Sequence, residues 1–147
     1  MIDKIYENAV TGLSKDVLND GDKWYNYVMK LPLKEQIVYT IAILNMQVQN
    51  GGLHQYFFNG YGQFAFVTIR NLELIGANKI SSILGDATKL VNYEDLEHDE
   101  FREKVFNRNV DRLKDFENNL ATELDKLDDR FYESMDDLET LLVKYLR

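Results

Sequence analysis

Residues 37–62 read IVYTIAILNMQVQNGGLHQYFFNGYG, and the fold class turns on how they are parsed. The first half is apolar almost all round. Ile37, Val38, Ile41, Ala42, Leu44 and Val48 leave no wide polar face, the pattern of a central helix covered by neighbours on several sides. Asn50-Gly51-Gly52 then ends it, because glycine enters the left-handed conformation that closes a helix at little cost. A short aromatic helix follows over Leu53 to Phe58, and Asn59-Gly60-Tyr61-Gly62 is the next turn.

The same helical spacing extends outward in both directions, and alternation of the β type is not sustained over any long stretch. Upstream, Ile2, Ile5, Tyr6, Ala9 and Leu13 mark one short helix. The turn Asn19-Asp20-Gly21-Asp22 leads into a second, with Trp24, Tyr25, Val28 and Met29. Pro32 falls where the first turn of the central helix tolerates it. Downstream, Phe64, Val67, Leu72 and Ile75 define a helix ending at Gly76. Asn78 is expected to cap the next, whose buried face is Ile80, Ile83, Leu84, Ala87, Leu90 and Val91. After an acidic connection, Glu94 to Glu100, come Phe101, Val105 and Phe106. From there Val110, Leu113, Phe116, Leu120, Leu124, Leu127, Phe131, Met135, Leu138, Leu142 and Tyr145 step by threes and fours. Ser134 ahead of Asp136 and Asp137 resembles a capped restart, which predicts a break near Glu133 to Asp136. The expectation is an all-α, single-domain multi-helix bundle over residues 1–147 with a C-terminal amphipathic helical hairpin.

Length and composition support one core: 147 residues with 45% hydrophobic content spread along the chain can bury roughly 68–70% of the unfolded surface. The chain has no cysteine, so disulfides and thiolate chemistry are excluded, and a reducing, cytoplasmic setting is expected. Its start lacks the basic patch and apolar run of an export signal, and its apolar runs fall short of the ~20 residues of a membrane span. Twenty-five acids against seventeen bases give a net charge of −8, which repels nucleic acid and anionic membrane. The excess is not uniform. Residues 1–93 hold 8 acids and 8 bases, and residues 94–147 hold 17 acids and 9 bases.

Catalytic and cofactor chemistry finds little support. A di-iron bundle needs two inward Glu-x-x-His motifs, and the nearest match is the single Asp95-Leu96-Glu97-His98. With His54 and His98 the only histidines, a three-ligand zinc site would need carboxylates converging on them. The stretch Asp16 to Asp22 fails as a calcium loop, since Leu18 and Tyr27 occupy ligand positions. No phosphate-cradling glycine loop and no nucleophile elbow is present. His54 lies in an aromatic segment and reads as a hydrogen-bonded packing residue. No catalytic residue, metal ligand or cofactor is therefore assigned. The aromatic segment itself reads as structural: Asn50, Gly51, Gly52, Gln55, Tyr56, Phe57, Asn59 and Gly62 close turns and supply core, with Gln55 and Asn59 satisfying turn amides.

That segment, in the order Asn50-Gly51-Gly52-Leu53-His54-Gln55-Tyr56-Phe57-Phe58-Asn59-Gly60-Tyr61-Gly62, resembles the signature of the bacterial DNA-mimic protein family. Leu74-Ile75-Gly76-Ala77 and Leu127-Asp128-Asp129-Arg130-Phe131-Tyr132 extend the resemblance over residues 50–147. Leu53 stands where the family more often has phenylalanine, and Gly60 where it often has serine. The resemblance implies an all-helical domain, a homodimer, in a family of which at least one member displays carboxylates that imitate DNA phosphates and so occupies a DNA-binding regulator.

The acids that could serve are concentrated. Residues 123–139 contain eight acids and two bases. A helix of that length spans roughly 25 Å, so acids fall about every 3 Å, close to the ~3.4 Å between phosphates of one strand. Asp125, Asp129, Glu133 and Asp137 form an outward ladder at four-residue spacing, and Asp128 and Asp136 complete the expected partner-binding set. Like charges so spaced repel by about 0.2–0.5 kcal/mol a pair, a cost that folding does not explain. A solubilising face, relieved by Lys126 with Glu123 and Arg130 with Glu133, accounts for the same acids. Three functions stay open: a mimic that binds a DNA-binding regulator through its basic surface, an immunity or inhibitor protein against a basic toxin or nuclease, and an enzyme with an unrecognised site.

Overall fold

In the computed structural model, which describes residues 1–115 and 119–147, the central apolar run becomes the axis of the molecule. Helix α4 (Leu33–Phe58) buries Ile37, Val38, Ile41, Leu44 and Val48. Pro32 stands just ahead of it at the N-cap, where its missing N–H costs nothing. The helix is interrupted where the glycines predict. Gly51 leaves helical geometry (φ −159°, ψ 16°), Gly52 has a positive φ (φ +79°, ψ −179°), and helical geometry resumes at Leu53.

Around α4 the chain lays α1 (Ile2–Val10), α2 (Lys15–Leu18) and α3 (Gly21–Met29) on one side. Asp20 caps α3, its carboxylate accepting from the backbone N–H of Asp22 and Lys23 at 3.0 and 3.1 Å. A 3-10 turn, Tyr61–Phe64, follows Gly60 (φ +85°) and leads into α5 (Ala65–Leu74). Helix α5 ends in a Schellman closure: the Gly76 N–H bonds the Glu73 carbonyl at 3.0 Å and the Ala77 N–H bonds that of Leu72 at 2.8 Å. Helix α6 (Asn78–Val91) packs on α5 and α9; α7 (His98–Phe106) packs on the 3-10 turn; α8 (Asp111–Lys114) is a single turn; and α9 (Asn119–Leu146) closes the bundle against α4 and α6. Asn78 does not cap α6. Ala77 holds the cap position and no side chain bonds the first amides.

Two apolar clusters result. The larger joins α4 to α5, α6 and α9, with Leu44, Tyr56, Phe57, Leu84, Leu124 and Phe131 fully enclosed. The smaller gathers Ala9, Trp24, Val28, Tyr39, Ile43 and Phe64, where Trp24 meets Tyr61 and Phe64 edge-on and donates its indole N–H to the Tyr39 hydroxyl at 3.1 Å.

The domain is all-α, with no strand among the described residues. The break expected at Glu133 to Asp136 is absent. Helix α9 runs straight through it, because Phe131, Leu138 and Leu142 stay buried on one stripe across the site. The Ser134 hydroxyl donates back to the Arg130 carbonyl at 3.2 Å instead of capping a new helix. The chain leaves helical geometry earlier, at Asp115 (φ −109°, ψ 104°). Phe116, part of the predicted apolar series, lies outside the described residues.

Candidate functional site

The signature segment folds onto itself and onto α9. Leu53, Tyr56 and Phe57 are fully buried. Gln47, on the preceding turns of α4, clamps the break: its Oε1 accepts from Gln55 Nε2 at 3.0 Å and from Asn59 Nδ2 at 3.2 Å. Gln55 and Asn59 thus satisfy a side chain and not the turn amides expected of them, and Gln47 was not foreseen because its partners lie across the kink. The glycines are sterically required. A Cβ on Gly62 would meet the Phe57 ring at 2.3 Å, and one on Gly51 would meet the Gln55 side chain. Asn50 and Gly51 are the exposed members of the set. The His54 ring N–H donates to the Leu113 carbonyl at 2.6 Å and the ring stacks on Phe58, which ties α4 to α8.

Gly52 brings α9 into the segment. The carboxylate of Asp128 accepts the backbone N–H of Leu53 at 2.7 Å, acting as an N-cap supplied from another helix to the restart of α4. A Cβ on Gly52 would meet the same carboxylate at 2.4 Å. Burial pushes the Asp128 carboxyl up to about 6, against the Leu53 N–H, which favours the charged form. Next to it, the exposed Tyr132 donates its hydroxyl to the Val48 carbonyl at 2.9 Å. Asp128, assigned from sequence to the partner-binding set, has an internal partner: one position along the helix from Asp129 turns its carboxylate toward α4.

The remaining acids have different surroundings. Asp125, Asp129, Glu133 and Asp136 are exposed and fall within a sector of roughly 80° opposite the buried stripe of α9. No cation of the described residues lies within ion-pair distance of any of them. The two bases of this stretch are engaged elsewhere: Lys126 with Glu123 at 3.2 Å, and Arg130 with Asp86 of α6 at 3.6 Å, not with Glu133. Asp137 leans to one side. With Leu138 and Leu141 it lines a cavity of about 270 Å³ against Gly76, Ala77 and Ile80, at the start of α6, where no acid stands in the first turn. A carboxylate there complements the positive end of that helix.

One family model, described as DMP19-like protein, matches residues 29–147, which takes in the glycine signature and all of α9. The chain belongs to the DMP19-like family. The match agrees with the resemblance to DNA-mimic proteins carried by the signature residues. No curated protein and no solved structure matches. Within this DMP19-like chain, no three His, Asp or Glu residues gather as metal ligands among the described residues, and no described helix is long and apolar enough to cross a membrane.

A second polar site involves the 3-10 turn that follows α4. Between the start of α3, the 3-10 turn and α7 is a cavity of about 500 Å³ bordered by Asp20, Asp22, Gln63, Asp99, Arg102 and Glu103. The Arg102 guanidinium lies over the Tyr25 ring at 3.8 Å and reaches Asp22 at 3.3 Å and Asp99 at 3.5 Å. His98 packs edge-on against Tyr25 and Phe66, and its pKa is lowered by burial and by Arg102. Sequence reading missed this site because its members come from three separated segments.

Proposed function

We propose that this chain is a non-enzymatic binding protein of the DNA-mimic type, which presents the outward carboxylates of α9 to the basic surface of a DNA-binding protein in the cytoplasm. The observation that carries the reading is the contrast in pairing along one helix. Arg130 and Lys126 are drawn to other acids, while Asp125, Asp129, Glu133 and Asp136 stay exposed with no cation beside them. Their rise along a continuous helix gives a rigid row of negative charge, and the absence of a break at Ser134 keeps that row straight across its full length. Such a row neutralises the lysines and arginines that contact phosphates, so it competes with duplex DNA for the same groove. Membership of the DMP19-like family supports the same reading. In a homodimer, as the resemblance implies, two such rows would be available to one partner.

The experiment is competition. Proteins captured from the native cytoplasm on the immobilised chain should be displaced by duplex DNA and by rising salt, because exposed charges are screened over about 8–10 Å at ordinary ionic strength. A captured partner that neither DNA nor salt displaces is bound through some other surface, and the mimic reading then fails.

A further inference from the structure

The cavity between α3, the 3-10 turn and α7 carries unsatisfied hydrogen-bonding groups that folding leaves unexplained. Gln63 is 1% exposed, yet neither its Oε1 nor its Nε2 has a hydrogen-bond partner. Arg102 Nε is likewise buried and unpartnered. Leaving a buried polar atom unpaired costs about 1–3 kcal/mol, so three in two residues that border one cavity form an unusual concentration. Gln63 is held there from both sides. Gly62 presses on the Phe57 ring and seats the 3-10 turn against α4, and α7 covers the turn from outside.

The rim sets the charge of what can enter. Asp20, Asp22, Asp99 and Glu103 face one guanidinium, that of Arg102, which Asp22 and Asp99 already share. Asp20 is used in capping α3. Glu103 is exposed, and its carboxylate makes no hydrogen bond or ion pair with the described residues. The site therefore favours a cation, and Gln63 Oε1 asks it for an N–H donor. The two unpartnered donors, Gln63 Nε2 and Arg102 Nε, ask for an acceptor close by, which a bare cation lacks and a peptide carbonyl supplies. The Phe106 ring, packed against Gly21, borders the same cavity.

We propose that this cavity receives an arginine side chain of a bound protein, its guanidinium toward Glu103 and Gln63 Oε1 and a neighbouring backbone carbonyl toward Gln63 Nε2 and Arg102 Nε. Arginine fits better than lysine because its planar, multi-donor head can serve a carboxylate and an amide oxygen together. The proposal rests on the reading of the chain as a binder of basic proteins only for the source of the arginine. It supplies a second anchor, away from the α9 row, that duplex DNA does not imitate.

The test uses N-acetyl-arginine amide titrated into the full-length protein and followed by backbone and side-chain amide NMR. Shifts centred on Gln63, Asp22 and Glu103 are expected, with N-acetyl-citrulline amide, of the same shape but uncharged, and free arginine, whose carboxylate meets the acidic rim, each binding about tenfold more weakly. Gln63→Leu and Glu103→Lys should each weaken the arginine amide about tenfold or more. Glu103 is exposed, so its variant keeps the test valid should Gln63→Leu not fold. The proposal is overturned by shifts confined to α9, by equal binding of the citrulline compound, by tighter binding of free arginine, or by an unchanged affinity in Glu103→Lys. Replacing Asp125, Asp129, Glu133 and Asp136 by lysine should leave the titration at the cavity intact, so loss of the α9 surface and loss of the cavity are read separately.

Discussion

The glycine-rich segment and the acidic stretch of α9 are the two most unusual pieces of this sequence, and the structure treats them in opposite ways. Between residues 50 and 62 the required conformations and the large side chains are consumed internally: Gly52 by its positive φ and the Asp128 carboxylate, Gly62 by the Phe57 ring, Gln55 and Asn59 by Gln47, Tyr56 and Phe57 by the core. Between residues 123 and 139 most acids point to solvent with nothing opposite them. Asp128 belongs to the second stretch by sequence and to the first by contact. A segment that defines a family need not be the segment that acts. The unusual residues of the first have found their partners within the chain, and those of the second have not.

The contrast can be broken most severely from the folded side. Phe57→Ala should cost about 3–5 kcal/mol, since the ring is fully enclosed and the space it leaves is walled by a rigid turn. Urea unfolding measures it, and a loss below 1 kcal/mol would mean that the segment is not core. Gly52→Ala comes next, at about 2–3 kcal/mol, because it combines an almost glycine-only backbone conformation with a collision against Asp128. A Gly52→Ala protein that melts with the parent would remove the kink from the account.

Asp128 sharpens the comparison at its border. Asp128→Ala strips the Leu53 N–H of its acceptor and should cost about 1–2 kcal/mol. Asp128→Asn keeps an acceptor but does not titrate. Because burial lifts the folded carboxyl to about 6, above the 3.8 of an unperturbed aspartate, the folded protein binds a proton between those values that the unfolded chain does not. The parent should therefore gain stability relative to Asp128→Asn as pH falls from 7 toward 4, the opposite of a salt-bridged carboxylate. Parallel melts of the two proteins across that range measure the difference, and a parent that loses ground on acidification would show an ion-paired Asp128.

Much of this was legible beforehand. Helical spacing announced the all-α class, and Gly51-Gly52 and Gly76 marked turns that the backbone confirms with φ of +79° at Gly52 and +83° at Gly76. What stayed hidden depends on distant neighbours. Ser134 carries a sound local capping signal, but the stripe Phe131, Leu138 and Leu142 is held by α4 and α6, and burial outweighs one cap. Asp128 is indistinguishable from Asp125 and Asp129 until α4 is placed beside it. Arg130 finds Asp86, some forty positions away in sequence, in preference to its own helix. Gln63 carries no signal of its own in the sequence, and its unpartnered amide is visible only once α7 covers the 3-10 turn.

The smallest expected effect on stability comes from the exposed acids, and it accompanies the largest expected effect on binding. Replacing Asp125, Asp129, Glu133 and Asp136 by lysine exchanges one row of like charges for another on a solvent face and should leave the helical content unchanged and the unfolding free energy within about 1 kcal/mol of the parent. Titration of that folded variant against a purified DNA-competed partner, over a series of salt concentrations, is the most direct test of the outward carboxylates as the binding surface. The account predicts that the parent binds with an affinity that falls steeply as salt rises and that the variant does not bind at low salt. Equal binding by parent and variant at every salt concentration would contradict it and leave the acidic face of α9 as a solubilising surface.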